Sequence, residues 1–109
     1  MNDPTTTLQD LKGVMEQFVA ERDWHKFHNP KNLSASLAIE VGELMEHFQW
    51  LTLEEAADVA NDAQKKHDVQ EELSDCLAYV ISIANAMEID LASSFEQKMH
   101  KNRIKYPKP

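Results

Sequence analysis

The sequence predicts an all-α fold, a bundle of long helices with short connections. Apolar residues recur at spacings of three and four through most of the chain, the period of a helix with one buried face. Two glycines and four prolines in 109 residues leave little turn chemistry. No segment alternates apolar and polar residues as a half-buried strand would.

Length and charge bound the rest. A chain of 109 residues makes one domain with a modest core, a size at which association with further copies relieves marginal stability. Nineteen acidic residues against eleven basic ones give a formal charge of −8, with no broad basic surface for a nucleic-acid polymer or an anionic membrane. The single cysteine, Cys76, excludes an internal disulfide and sits on an apolar stripe as a small buried hydrophobe. The first residues, MNDPTTTLQD, lack the basic and apolar regions of a secretion signal. No stretch approaches the ~18 uninterrupted apolar residues of a membrane span. A reducing, cytoplasmic setting is expected.

The first helix is expected from Thr6 or Thr7 to about Arg22, with Leu8, Leu11, Met15 and Phe18 inward. Then comes DWHKFHNPKN, Asp23 to Asn32, the longest loop and the richest in rings. Pro30 disfavours helix at Asn29, which makes Asn32 the expected N-cap of the second helix. Trp24 and His28 are assigned to ligand contact, because binding groups concentrate on such loops.

The second helix, Leu33 to Trp50, carries the apolar stripe Leu33, Leu37, Val41, Leu44 and Phe48. Along its edge runs a polar seam of Ser36, Glu40, Glu43 and His47. Thr52 and Glu55 then form a capping box, T-x-x-E, opening a short helix. Residues 60–67, ANDAQKKH, read as a loop or a frayed helix start. The third long helix runs on to about Met87 with the stripe Val69, Leu73, Cys76, Val80, Ile83 and Met87. Its seam of Asp68, Glu72, Asp75 and Tyr79 repeats the spacing of the second helix. Asp90 caps a last helix that Pro107 ends. Its inward stripe begins with Leu91 and Phe95 and continues into Lys98 and Asn102, polar groups where core residues are due.

The two seams carry the chemistry. The pattern is Glu40-x-x-Glu43, then Glu72-x-x-Asp75, and a spacing of three sets both carboxylates of a pair on one helix face. A carboxylate facing a core is costly unless it is paired or bound to a cation. Four such oxygens suit a hard divalent cation, Mg²⁺ or Mn²⁺, whose usual second ligand is a phosphate ester. A di-iron bundle would use Glu-x-x-His, but Gln64, Leu44 and Gln97 stand three residues before His67, His47 and His100. The competing reading is a non-enzymatic helical interaction module whose acidic seams are solvated or partner-binding faces.

The segments ERDWHKFHNPKNL (21–33), EVGELMEHFQW (40–50), EELSDCLAYV (71–80) and KMHKNRIKYP (98–107) resemble the MazG-like, all-α nucleoside triphosphate pyrophosphohydrolases. The similarity is to their small single-domain dCTP pyrophosphatases in particular. The resemblance implies a four-helix-bundle-like fold over residues 1–109, assembled as a dimer or tetramer whose sites draw on neighbouring subunits. It implies hydrolysis of a nucleoside triphosphate to monophosphate and pyrophosphate, with Mg²⁺ on Glu40, Glu43, Glu72 and Asp75. Trp24, His28, Trp50 and Tyr79 are then assigned to the base, where flat rings suit stacking. Lys98, Asn102, Arg103 and Tyr106 are assigned to the distal phosphates, which need a local cation in so acidic a chain. The chain departs from relatives at Ile39, where many carry an acidic residue, and at Met15, where close ones carry a histidine.

Overall fold

Local capping decides where each helix begins. The computed structural model describes residues 1–109 and contains only helices and their connections. Helix α1 (Leu8–Glu21) opens on Thr7, whose hydroxyl accepts from the Asp10 N–H at 3.1 Å while the Asp10 carboxylate accepts from the Thr7 N–H at 2.9 Å. A two-way bond of the same kind between Thr52 and Glu55 opens the short helix α3 (Leu53–Asp58). Asp90 opens α5 (Leu91–Lys105) by accepting from the Ser93 N–H at 2.9 Å.

Besides the end of the second long helix, which stops at Glu46 with turns over 47–50 instead of helix to Trp50, two boundaries correct the expectation. Helix α2 (Pro30–Glu46) is capped by Asn29, which accepts from the Asn32 N–H at 2.9 Å. Pro30 fits the first helical position because its missing N–H would have had no partner there. Asn32 instead donates its side-chain amide to the Phe27 carbonyl at 3.2 Å and ties the ring-rich loop to the helix. The second correction is that most of ANDAQKKH is helical. Asp62 accepts from the Lys65 N–H at 3.0 Å and starts α4 (Ala63–Met87), the longest helix at 25 residues. A 3₁₀ turn, Val59–Asn61, joins it to α3, and another, His25–Phe27, follows α1.

The body is the pair α2 and α4 with α1 laid against the second half of α4. The end of α2 lies by the beginning of α4, with His47 and Leu51 beside Lys65, Asp68 and Val69, while Glu40 comes close to Cys76. The two helices therefore run antiparallel. Asn85 donates to the Lys12 carbonyl at 3.1 Å, and the Lys12 ammonium bonds the Ile89 carbonyl, which fastens α1 to the end of α4. The face that α4 turns inward is not the whole apolar stripe. Cys76, Ile81, Ser82 and Ala84 are buried, yet Leu73 of the stripe is 56% exposed and Met87 53%. On α2, Leu33 is buried and Val41 is half exposed, while Glu40, Glu43 and His47 are part-buried. The helices thus meet along the acidic seams as much as along the stripes.

Helix α5 stands apart. It leaves α4 through Glu88, in the left-handed region at φ 54°, with a bend of 104°. It packs little against the other helices, so its expected inward stripe has nothing to face within one chain. Phe95 and Lys98 are exposed, and Asn102 is half-buried with its amide 3.7 Å from the Met99 sulfur.

The result is a thin body. Its radius of gyration is 16.5 Å, against about 13 Å for a closely packed chain of this length. Its accessible surface is 8700 Å², against about 6200 Å² for a compact monomer of this mass.

Candidate active site

The centre of the α2–α4 seam is acidic. Glu40 and Glu43 project from α2 one turn apart, and Glu72 projects from α4. One oxygen of each lies within 4.8 Å of the others. The second oxygens of Glu40 and Glu72 are buried with no hydrogen-bond partner. Burial pushes the Glu40 carboxyl up to about 7, helped by a hydrogen bond shared with Glu43 and by the charges of Glu43, Asp75 and Glu72. Burial raises Glu72 as well, followed by the charge of Glu43. His47 Nε2 is 3.9 Å from a Glu72 oxygen.

A polar seam that costs this much when bare fits a bound cation. Two orphaned buried oxygens in an all-oxygen donor set match the hardness of Mg²⁺ or Mn²⁺. Asp75, the fourth carboxylate of the sequence pattern, is exposed at the rim one turn beyond Glu72, close enough for its charge to act on Glu40 and Glu72. Buried Cys76 lies beneath the group, its thiol pushed up by burial and then by Glu40, Glu72 and Asp75.

The ring residues separate into two places. Trp24 stacks on His28 with ring centroids 6.3 Å apart and an interplanar angle of 28°, and Phe18 meets Trp24 edge-on at 5.7 Å. Burial, then the neighbouring His25, lowers the pKa of His28. Trp50 lies beyond the opposite end of α2 and is 86% exposed. The 17 residues of α2 span about 25 Å at 1.5 Å per residue, so Trp24 and His28 do not share a pocket with Trp50 of the same chain. Tyr79 is half-buried on α4, one turn past Asp75 on the face that carries the seam. Of the residues assigned to phosphates, Lys98, Arg103 and Tyr106 are exposed on α5, and Asn102 is half-buried among α5's own side chains.

Beside the Trp24–His28 stack, a half-open cavity of about 140 Å³ lies between α1 and α4, lined in part by Met15, Val19, His28, Ser82 and Asn85. Sequence reading passed over Ser82 and Asn85. The signal was present: they are the two polar residues in the otherwise apolar run VISIANAM (80–87).

The chain is thus an all-α body with a carboxylate cluster between two antiparallel helices and a separate cleft between α1 and α4. The family model of the MazG-like family matches residues 35–109, and the chain belongs to that family. It is 42% identical over 104 residues to the proteins named dCTP pyrophosphatase 1 of Homo sapiens and Rattus norvegicus, and 44% identical over 101 residues to that of Bos taurus. Those stretches cover 93–95% of this chain but only 60–61% of the relatives, so the chain spans about three-fifths of their length. Among solved structures, a pyrophosphatase from Archaeoglobus fulgidus superposes with a TM-score of 0.87 at 36% identity, covering 99% of both chains.

Proposed function

We propose that residues 1–109 form a single MazG-like domain that hydrolyses a deoxynucleoside triphosphate, dCTP or a related dNTP, to the monophosphate and pyrophosphate. The observation that carries the reading is the pair of buried, unpartnered oxygens on Glu40 and Glu72 within one three-carboxylate cluster. The names of the curated relatives support the choice of substrate, and that of the solved structure supports pyrophosphatase chemistry. Bound at Glu40, Glu43, Glu72 and Asp75, Mg²⁺ or Mn²⁺ would neutralise phosphate charge and lower the pKa of water.

The chain's own residues supply the rest. Glu40 gives up its proton when the site is loaded, since a ligand must be ionised. Trp24 and His28 offer stacked rings to the base, and Tyr79 flanks the carboxylates. Trp50, about 25 Å along α2, serves the base site of a neighbouring chain. Lys98, Asn102, Arg103 and Tyr106 lie on a helix with no partner in its own chain, and in a homodimer or dimer of dimers they hold the distal phosphates of a neighbour's substrate. The partner is a free nucleotide, since a chain of charge −8 repels a nucleic-acid polymer or an anionic membrane overall.

The test is pyrophosphate release from dCTP with and without Mg²⁺. Release is expected only with the cation. Glu43→Gln and Asp75→Asn should each lower turnover by orders of magnitude while circular dichroism shows intact helices. Normal turnover in either variant rejects the metal site and favours the acidic interaction module.

A further inference from the structure

The cavity between α1 and α4 contains an anomaly at Ser82. The residue is 4% exposed, and its hydroxyl is buried without a hydrogen-bond partner. Helical serines usually satisfy themselves by donating to a carbonyl one turn back, as Ser74 of the same helix does to Gln70 at 2.8 Å. Ser82 does not, and a buried hydroxyl left unpaired costs free energy. One turn on, Asn85 lines the same cavity. Its amide donates to the Lys12 carbonyl at 3.1 Å. A carbonyl only accepts, so that bond fixes which end of the side chain is nitrogen and leaves Oδ1 as a free acceptor.

Size limits the occupant. The cavity measures about 140 Å³, and a cavity of about 150 Å³ holds one benzene ring. A single six-membered ring fills that space, and a fused bicyclic ring would extend out of its open side. The stacked rings of Trp24 and His28 stand next to it.

We propose that Ser82 and Asn85 select the base, admitting a single-ring base that carries an amino group. This rests on the nucleotide reading above and deepens it. The Asn85 acceptor pairs with an exocyclic amine and repels the carbonyl oxygen that thymine or uracil presents at the same position. The Ser82 hydroxyl rotates to donate to, or accept from, the adjacent ring position. A site built to hydrogen-bond a ligand group rejects the analogue lacking it more strongly than a hydrophobic pocket can.

Binding separates this proposal from catalysis. Quenching of tryptophan fluorescence should report dCMP binding to the metal-free wild-type chain, with dTMP and dAMP much weaker. Ser82→Ala should weaken dCMP about tenfold, the scale of one hydrogen bond, and leave the melting temperature unchanged or raised, since the hydroxyl has no internal partner to lose. Asn85→Leu should erase the preference for dCMP over dTMP. Because that variant also loses the Lys12 bond, Ser82→Ala remains the decisive one. Equal binding of dCMP and dTMP by the wild type, no dCMP binding, or an unchanged affinity in Ser82→Ala overturns the proposal. Selective dCMP binding without hydrolysis of any triphosphate would overturn the proposed function and leave the base selection standing.

Discussion

Glu40 shows how a single residue couples folding to the site. Its carboxyl sits at about 7, well above an ordinary glutamate, chiefly because it is buried. The folded chain therefore holds this proton more tightly than the unfolded chain does. Stability from Glu40 is full below about pH 4.5 and is lost as pH rises through about 7, with Glu72 shifted in the same direction. The melting temperature of the metal-free protein should fall across that window, and Glu40→Gln should flatten the fall. Added Mg²⁺ should raise the melting temperature most at the upper end, where the carboxylates are ionised and repel. A flat profile for the wild type would show that the three carboxylates do not interact as placed. The E-x-x-E and E-x-x-D pairs were legible because a spacing of three sets both members on one helix face. Ser82 stood out in sequence only as a polar residue in an apolar run, and its place in a cavity comes from α1 packing beside it.

At the scale of elements, caps were readable wherever the signal was local and had one solution. Thr52 and Asp90 cap as their neighbours demand, and Thr7 decides the start left open between Thr6 and Thr7. Asn32 was the expected cap, and Asn29 takes that role because Pro30 is tolerated at the first helical position. Periodicity also told which residues share a face, but not which of two adjacent faces meets a neighbour. That is why Leu73 lies exposed while Glu43 is half-buried. Helix α5 is the largest departure, because a stripe that ends in Lys98 and Asn102 has no core to join in one chain. If its cations hold phosphates, Lys98→Ala and Arg103→Ala should raise KM for the triphosphate steeply with little change in melting temperature. A lower melting temperature with KM untouched would make α5 a scaffold.

The whole molecule exposes about 2500 Å² more than a compact monomer of its mass would. At about 25 cal/mol per Å² of apolar surface that is a strong drive to associate, and obligate dimers bury areas of this order. The exposed row Leu73, Leu77 and Val80 on α4, with Ile39 and Met45 on α2 and Phe95 and Ile104 on α5, supplies the apolar surface. Light scattering should show a dimer or tetramer at micromolar concentration, and a monomer there would contradict the proposed assembly. The all-helical class was plain in the sequence; the thinness of the body was not, since composition counts apolar residues without saying whose they cover.

The sharp corner at Glu88 has a consequence for inheritance. It swings α5 away from its own carboxylates, so in the proposed assembly each working site is written partly on one polypeptide and partly on another. A chain disabled at Glu43 still carries a sound α5, and a chain disabled at Arg103 still carries a sound metal cluster. Two such alleles, each silent alone, would rebuild one intact site per mixed pair when expressed together, whereas two lesions on the same polypeptide would spoil both sites it contributes to.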